Sequence, residues 1–140
     1  MSQLLDLILL VDDDETTNFV NNRLLSRMNI AREIKIAKNG QEAIDYLKDC
    51  EAQKQICPDL IFLDIKMPVM DGFSFLETYE AAGLGKNNQV IIMMLTSSAS
   101  FYDLERLKNY KFVKQHISKA LTEGDIKEIL QQYFANQSNN

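Results

Sequence analysis

The chain predicts an α/β domain: one doubly wound, five-stranded parallel sheet with helices on both faces. Three observations carry that prediction. Three short apolar runs, Leu7 to Val11, Leu60 to Leu63 and Val90 to Leu95, are too short for buried helices and suit strands covered on both sides; two less apolar segments of the 140 residues, around Ile34 and from Phe112 to Ile117, read as further strands. Between them lie segments whose apolar residues repeat at helical spacing. Strict alternation of the two kinds requires right-handed crossovers, and these make the strands parallel. The length suits a single domain.

Leu7 to Val11 is the first apolar run, ended by acids, and reads as the first strand. Asp14 or a neighbour caps the following helix, whose apolar positions are Phe19, Val20, Leu24, Leu25 and Met28. Ile34, Ile36 and Ala37 form a brief second strand. Asn39-Gly40 punctuates it before a helix carrying Ala43, Ile44, Leu47 and Cys50. After polar residues Glu51 to Gln55 comes Pro58, then Leu60 to Leu63 as the third strand, ending on Asp64.

Asp71-Gly72 opens a helix with Phe75, Leu76, Tyr79 and Ala82 on its inner side, and Gly83 and Gly85 close it. Val90 to Leu95 is the fourth strand, ending on Thr96. Ser100 and Asp103 have the spacing of a capping box before a weakly amphipathic helix through Leu104 and Leu107. Phe112 to Ile117 reads as the fifth strand. A second capping box, Thr122 with Asp125, precedes Ile126, Ile129, Leu130, Tyr133 and Phe134, the clearest amphipathic pattern in the chain. Residues 1–136 are expected to form the domain, and 137–140 a disordered polar tail.

Charge narrows the function. Fifteen Lys and Arg oppose twenty Asp and Glu, and the net of −5 sits in residues 1–20, which hold five acids and no base. Nucleic-acid binding normally needs a basic stripe, so it is not expected. The apolar runs are far short of a bilayer span, and Met1-Ser2-Gln3 offers no basic lead-in to a signal peptide. Cys50 and Cys57 match neither a redox nor a zinc spacing and read as reduced thiols of a cytoplasmic protein.

In open parallel sheets, ligands bind beyond the carboxyl ends of the strands. Those ends carry Asp12-Asp13, Asp64, Thr96-Ser97 and, after the fifth strand, Lys119. Three converging carboxylates repel one another unless a cation sits among them. Oxygen donors favour Mg²⁺, Mn²⁺ or Ca²⁺, and a site left open for a phosphate favours Mg²⁺. Asp64 could then be a nucleophile toward phosphorus, with Lys119 and Thr96 spreading the phosphoryl charge.

These residues resemble the receiver domains of two-component response regulators. The carriers are Leu9 to Glu15, Pro58 to Gly72, Met94 to Ser97 and Ile117 to Leu121, in order and suitably spaced over nearly the whole chain. The resemblance implies the flavodoxin-like strand order 2-1-3-4-5. It implies that Asp64 accepts phosphate from a histidine kinase or histidine phosphotransfer protein. Asp13 would hold Mg²⁺ directly and Asp12 largely through water, with the Lys66 backbone carbonyl as a further ligand. Thr96 would move on activation, Lys119 would pair with a phosphoryl oxygen, and helix four to helix five would signal to a downstream protein. The implied protein is a stand-alone signalling module that catalyses only its own phosphorylation and dephosphorylation, with Lys66 and Ser98 tuning the lifetime.

Two positions depart from the family. Ala120 follows the lysine where proline, often cis, is usual; because a cis non-proline bond costs about 3 kcal/mol, a trans bond is expected. His116 stands where the family often has the Tyr or Phe that swings behind the moving threonine. It reads either as a pH-sensitive switch or as a partly exposed histidine at a strand end.

Simpler and rival readings fit parts of the chain. Alone, Asp12 to Glu15 suit a helix N-terminus, Thr96 to Ser98 a turn and Lys119 a solvated charge. Residues 101–120 hold five bases and two acids with four interleaved aromatics, either a solvated face or a partner surface. An aspartyl-phosphate phosphatase would need an acid two residues past the nucleophile, where Lys66 stands. A flavodoxin-like cofactor module would need a hydroxyl- and glycine-rich loop after the first strand. A degenerate receiver, binding partners without phosphorylation, is disfavoured by the intact acids, threonine and lysine.

Overall fold

The computed structural model describes residues 5–85, 90–97 and 100–134. Met1-Ser2-Gln3, Ser98 and the tail 137–140 lie outside them, so the readings made on those residues are not addressed. The elements follow in the order β1 (Leu5–Val11), α1 (Glu15–Met28), β2 (Ala31–Ala37), α2 (Gly40–Ala52), β3 (Leu60–Leu63), α3 (Gly72–Ala81), β4 (Ile91–Thr96), α4 (Phe101–Leu107), β5 (Val113–Ser118) and α5 (Glu123–Ile129). A π-helical turn, Leu130–Phe134, extends α5. All pairings are parallel and the sheet order is β2-β1-β3-β4-β5, as predicted.

Strand alternation sorts the core into two layers. Leu9, Val11, Ile61, Leu63, Ile92 and Met94 face α2, α3 and the end of α4. Ile8, Leu10, Leu60, Phe62, Met93 and Leu95 face α1 and α5. The three central strands are therefore apolar at nearly every position, whereas the edge strand β2 leaves Ile36 exposed. Both predicted capping boxes form, at Ser100 with Asp103 and at Thr122 with Asp125.

Four expectations are corrected. The inner face of α1 is Asn18, Asn21, Leu24 and Leu25, while Phe19 and Val20 are exposed; the helix is turned so that two amides face the loops at the strand ends. Ala82 is exposed because α3 ends at Ala81 and Ala82 is its C-cap. β5 runs Val113–Ser118 and not from Phe112 to Ile117, and an extra residue breaks its register, Ile92 pairing with Val113 but Met93 with Gln115, so the strand bulges at Lys114.

The fourth correction is chemical. Cys50 and Cys57 are joined in a disulfide, Cα to Cα 5.6 Å. Spacing rules miss the pair because the chain reverses between them: Lys54 takes a positive φ of 55°, and Gln55 N–H donates to Cys50 O at 2.9 Å.

Candidate functional site

Four of the five strands deliver groups to the carboxyl edge of the sheet, and β2 delivers none. Asp12 follows β1 and Asp64 follows β3, both about 95% buried, while Asp13 is exposed. The two backbones are locked in step, Asp12 N–H donating to Ala37 O and Asp64 N–H to Val11 O, each at 3.0 Å. Carboxylate oxygens of Asp12, Asp13 and Asp64 lie within 4.8 Å of one another. Sequence reasoning placed these three together, and they are together.

Lys119 completes the cluster. Its Nζ lies 2.8 Å from Asp12 Oδ2 and 3.2 Å from Asp64 Oδ2, with only 15% of the side chain exposed. The Asp64 contact is a hydrogen bond. The Asp12 contact is shorter but misaligned, which leaves Asp12 Oδ2 buried without a hydrogen-bond partner. The Lys119–Ala120 bond is cis, against the expected trans. Local preference is overridden here because the loop is held on both sides, Lys119 N–H on Thr96 O and Leu121 N–H on Asn21 Oδ1, both at 3.3 Å.

Electrostatics follow from this crowding. Burial raises the Asp64 pKa, the neighbouring Asp12 charge raises it further, and Lys119 opposes both. Burial pulls Lys119 down, but contact with Asp12 and Asp64 more than offsets it, so the ammonium is held above its usual range. Asp14 caps α1, accepting from Thr17 N–H at 3.3 Å and from its hydroxyl. The Thr17 hydroxyl bond lowers the Asp14 pKa, burial working weakly the other way.

Thr96, 4% exposed, ends β4 in register with Ser118, one residue before Lys119. The Lys66 side chain is exposed on the turn after Asp64. That turn is pinned by Gly72, whose N–H donates to Ile65 O at 2.7 Å. Any Cβ at Gly72 would run into the Asp64 carbonyl and lie 2.9 Å from Ile65 Cα, so only glycine permits this approach. His116 sits within β5, in register with Met94, partly buried, with Nε2 lacking a hydrogen-bond partner. It lines a groove of about 180 Å³ with Leu104, Leu107 and Val113. It stands two residues before the end of β5 and outside the cluster of Asp12, Asp13 and Asp64.

Two site residues escaped the sequence reading. Asn18 Nδ2 donates to Asp12 O at 2.8 Å, and Asn21 holds the loop carrying Lys119. Their only signal was two amides three apart on the helix that follows the acids, which looks like an ordinary polar face.

A parallel sheet in this order, with three carboxylates and a lysine at its carboxyl edge, defines the class. The response regulator receiver domain family matches residues 8–131, and the chain belongs to it. Among known proteins it is similar to the probable methanogenesis regulatory protein FilR2 of Methanothrix harundinacea, 26% identical over 126 residues, covering 90% of this chain and 79% of that protein. It is 35% identical over 96 residues to hybrid signal transduction histidine kinase E of Dictyostelium discoideum, covering 66% of this chain but 5% of that protein. Among solved structures, a two component response regulator from Cytophaga hutchinsonii superposes with a TM-score of 0.84 at 26% identity, over 93% of this chain and 97% of that one. The chemotaxis protein CheY4 of Vibrio cholerae superposes with a TM-score of 0.71 at 26% identity, over 91% of this chain and 98% of that one.

Proposed function

We propose that this receiver domain is a phosphoacceptor and that Asp64 takes the phosphoryl group from a histidine kinase or histidine phosphotransfer protein. The observation that carries this reading is the Asp64 carboxylate, buried at a sheet edge within reach of both a lysine and two further carboxylates. An Asp64 oxygen attacks phosphorus, the phosphorus–nitrogen bond of the phosphohistidine breaks, and the imidazole leaves with the bonding pair and takes up a proton.

The donor set fits a hard divalent cation: carboxylate oxygens of three residues converge within 4.8 Å, and the buried Asp12 Oδ2, which makes no hydrogen bond, is met by the Lys119 ammonium at 2.8 Å. Asp12, Asp13, Asp64 and the Lys66 backbone carbonyl would hold Mg²⁺, and the same oxygens would accept Mn²⁺. When bound, the ion supplies positive charge for the phosphoryl oxygens. Lys119, charged and already on Asp64, exchanges its carboxylate contacts for a phosphoryl oxygen. Thr96, beside it in the sheet, hydrogen-bonds the phosphoryl group and so reports its arrival.

Movement at Thr96 is proposed to pass to His116 and to the surface of α4, β5 and α5, where an as yet unidentified protein would dock. A cytoplasmic location accords with this role; among the described residues no helix is long and apolar enough to cross a membrane. Incubation with Mg²⁺ and acetyl phosphate, read by intact mass, should add one phosphoryl group to the wild type and none to Asp64→Asn. An adduct that persists in Asp64→Asn would move the acceptor elsewhere, and no wild-type adduct from acetyl phosphate or from kinases would end the proposal.

A further inference from the structure

We propose that Cys50 and Cys57 are a reversible dithiol–disulfide couple that fastens and frees the corner between α2 and β3. The two sulfurs are bonded across a Cα separation of 5.6 Å, inside the range that a disulfide spans without moving the backbone. Cys50, near the C-terminal end of α2, is 1% exposed and belongs to the core, whereas Cys57, before β3, is partly exposed. One sulfur is thus reachable from solvent and the other is sheltered, the arrangement that thiol exchange needs.

The corner also accommodates the reduced state. Cys50 Sγ lies 3.3 Å from Leu47 O and Cys57 Sγ lies 3.7 Å from Gln55 O. Each thiol formed on reduction therefore has a carbonyl to accept a hydrogen bond from its S–H. The turn itself is held by Gln55 N–H on Cys50 O, a bond that does not depend on the sulfurs. The covalent link is an added fastening on a turn that already places both cysteines.

Exchange balances with a low-molecular-weight thiol as reductant. Its thiolate attacks Cys57 Sγ, the protein disulfide breaks, and Cys50 Sγ leaves with the bonding pair, takes a proton from water and donates to Leu47 O. A second thiol cleaves the mixed disulfide; in sum the protein disulfide is reduced to two thiols and two small thiols are oxidised to one small disulfide. Reoxidation is the reverse, with a small disulfide of the glutathione class as oxidant.

The effect should be local. Glu51, next to Cys50, accepts from Gly85 N–H at 2.8 Å and ties the corner to the segment after α3. Asp64 lies at the other end of β3, on the order of 20 Å away at strand rise. Fastening therefore changes the stability of the corner and not phosphoacceptance, and the two proposals fail independently.

The test equilibrates the full chain in reduced or oxidised glutathione, then measures alkylation by intact mass, thermal melting and amide exchange. The oxidised protein should take no alkyl group and the reduced protein two. Oxidised protein should melt roughly 8 °C higher, from the closure entropy of a short loop and the average entropy of unfolding, with slower exchange at Gly85. Cys57→Ser and Cys50→Ala should melt alike in both buffers. Two alkyl groups after oxidised glutathione, a lasting glutathione adduct, a disulfide between chains or equal wild-type melting would each overturn the proposal.

Discussion

Val69 holds a backbone conformation that suits glycine or asparagine, with φ at 68° and the residue 82% exposed. Met70 N–H donates back to Pro68 O at 2.7 Å, which closes a tight turn around it. A β-branched residue there costs about 1–3 kcal/mol, and with so little burial nothing compensates. Val69→Gly relieves that strain and gives back part of the gain as unfolded-state entropy. The expected net is a stabilisation of about 1 kcal/mol in urea unfolding; a loss would mean that the valine contributes packing its exposure hides. At this scale Asp12, Asp13, Asp64, Thr96 and Lys119 were legible because each stands where an apolar run stops or a strand hands over to a loop. Asn18 and Asn21 were not, because a helical amide carries no mark of whether it meets water or a neighbouring loop.

Among the elements, α1 is the one whose orientation the residues left open. Its apolar positions suggested a face through Phe19 and Val20, but burial selects Leu24, Leu25 and the two asparagines. Asn18 Nδ2 and Asn21 Oδ1 offset part of the desolvation by bonding the backbone at Asp12 and Leu121, while Asn18 Oδ1 stays buried without a hydrogen-bond partner. Asn21→Ala would strand the Leu121 N–H, and leaving such a buried donor unmatched costs about 1–3 kcal/mol. Urea unfolding is expected to show that loss, and exchange of the Leu121 amide should quicken; an unchanged midpoint would show that water replaces the amide. Helix boundaries with caps were readable, since Ser100 with Asp103 and Thr122 with Asp125 are local chemistry. The β5 bulge was not, because register depends on the partner strand.

Across the whole molecule, the end of the sheet opposite the site carries its own titration. Asp59, before β3, accepts from Asp6 N–H at 2.7 Å and from Leu7 N–H at 3.4 Å. Burial raises its pKa above the ordinary 3.8, the nearby Asp6 charge adds to this, and the two N–H groups lower it without cancelling the rise. A raised folded-state pKa means that the fold holds the proton more tightly than the unfolded chain. That stabilisation is complete below the unfolded value and is lost as pH rises through the folded one. Asp59→Asn keeps an acceptor and cannot ionise, so its stability should improve relative to wild type between about pH 3 and pH 7. Denaturation midpoints at the two pH values decide the matter, and a constant or reversed gap would contradict it.

The alternation of strands and helices, the parallel sheet and the groups at its carboxyl edge are legible along the chain. These follow from periodicity, chain direction and crossover handedness, which are properties of neighbours along the chain. The fold sets the rotation of α1, the cis bond at Lys119–Ala120, the place of His116 in a groove and the pairing of Cys50 with Cys57. The first three depend on contacts made after the chain has folded back, where burial and hydrogen bonding to distant backbone outweigh the preference of any single residue. The disulfide depends instead on the local reversal at Lys54, which spacing alone does not reveal.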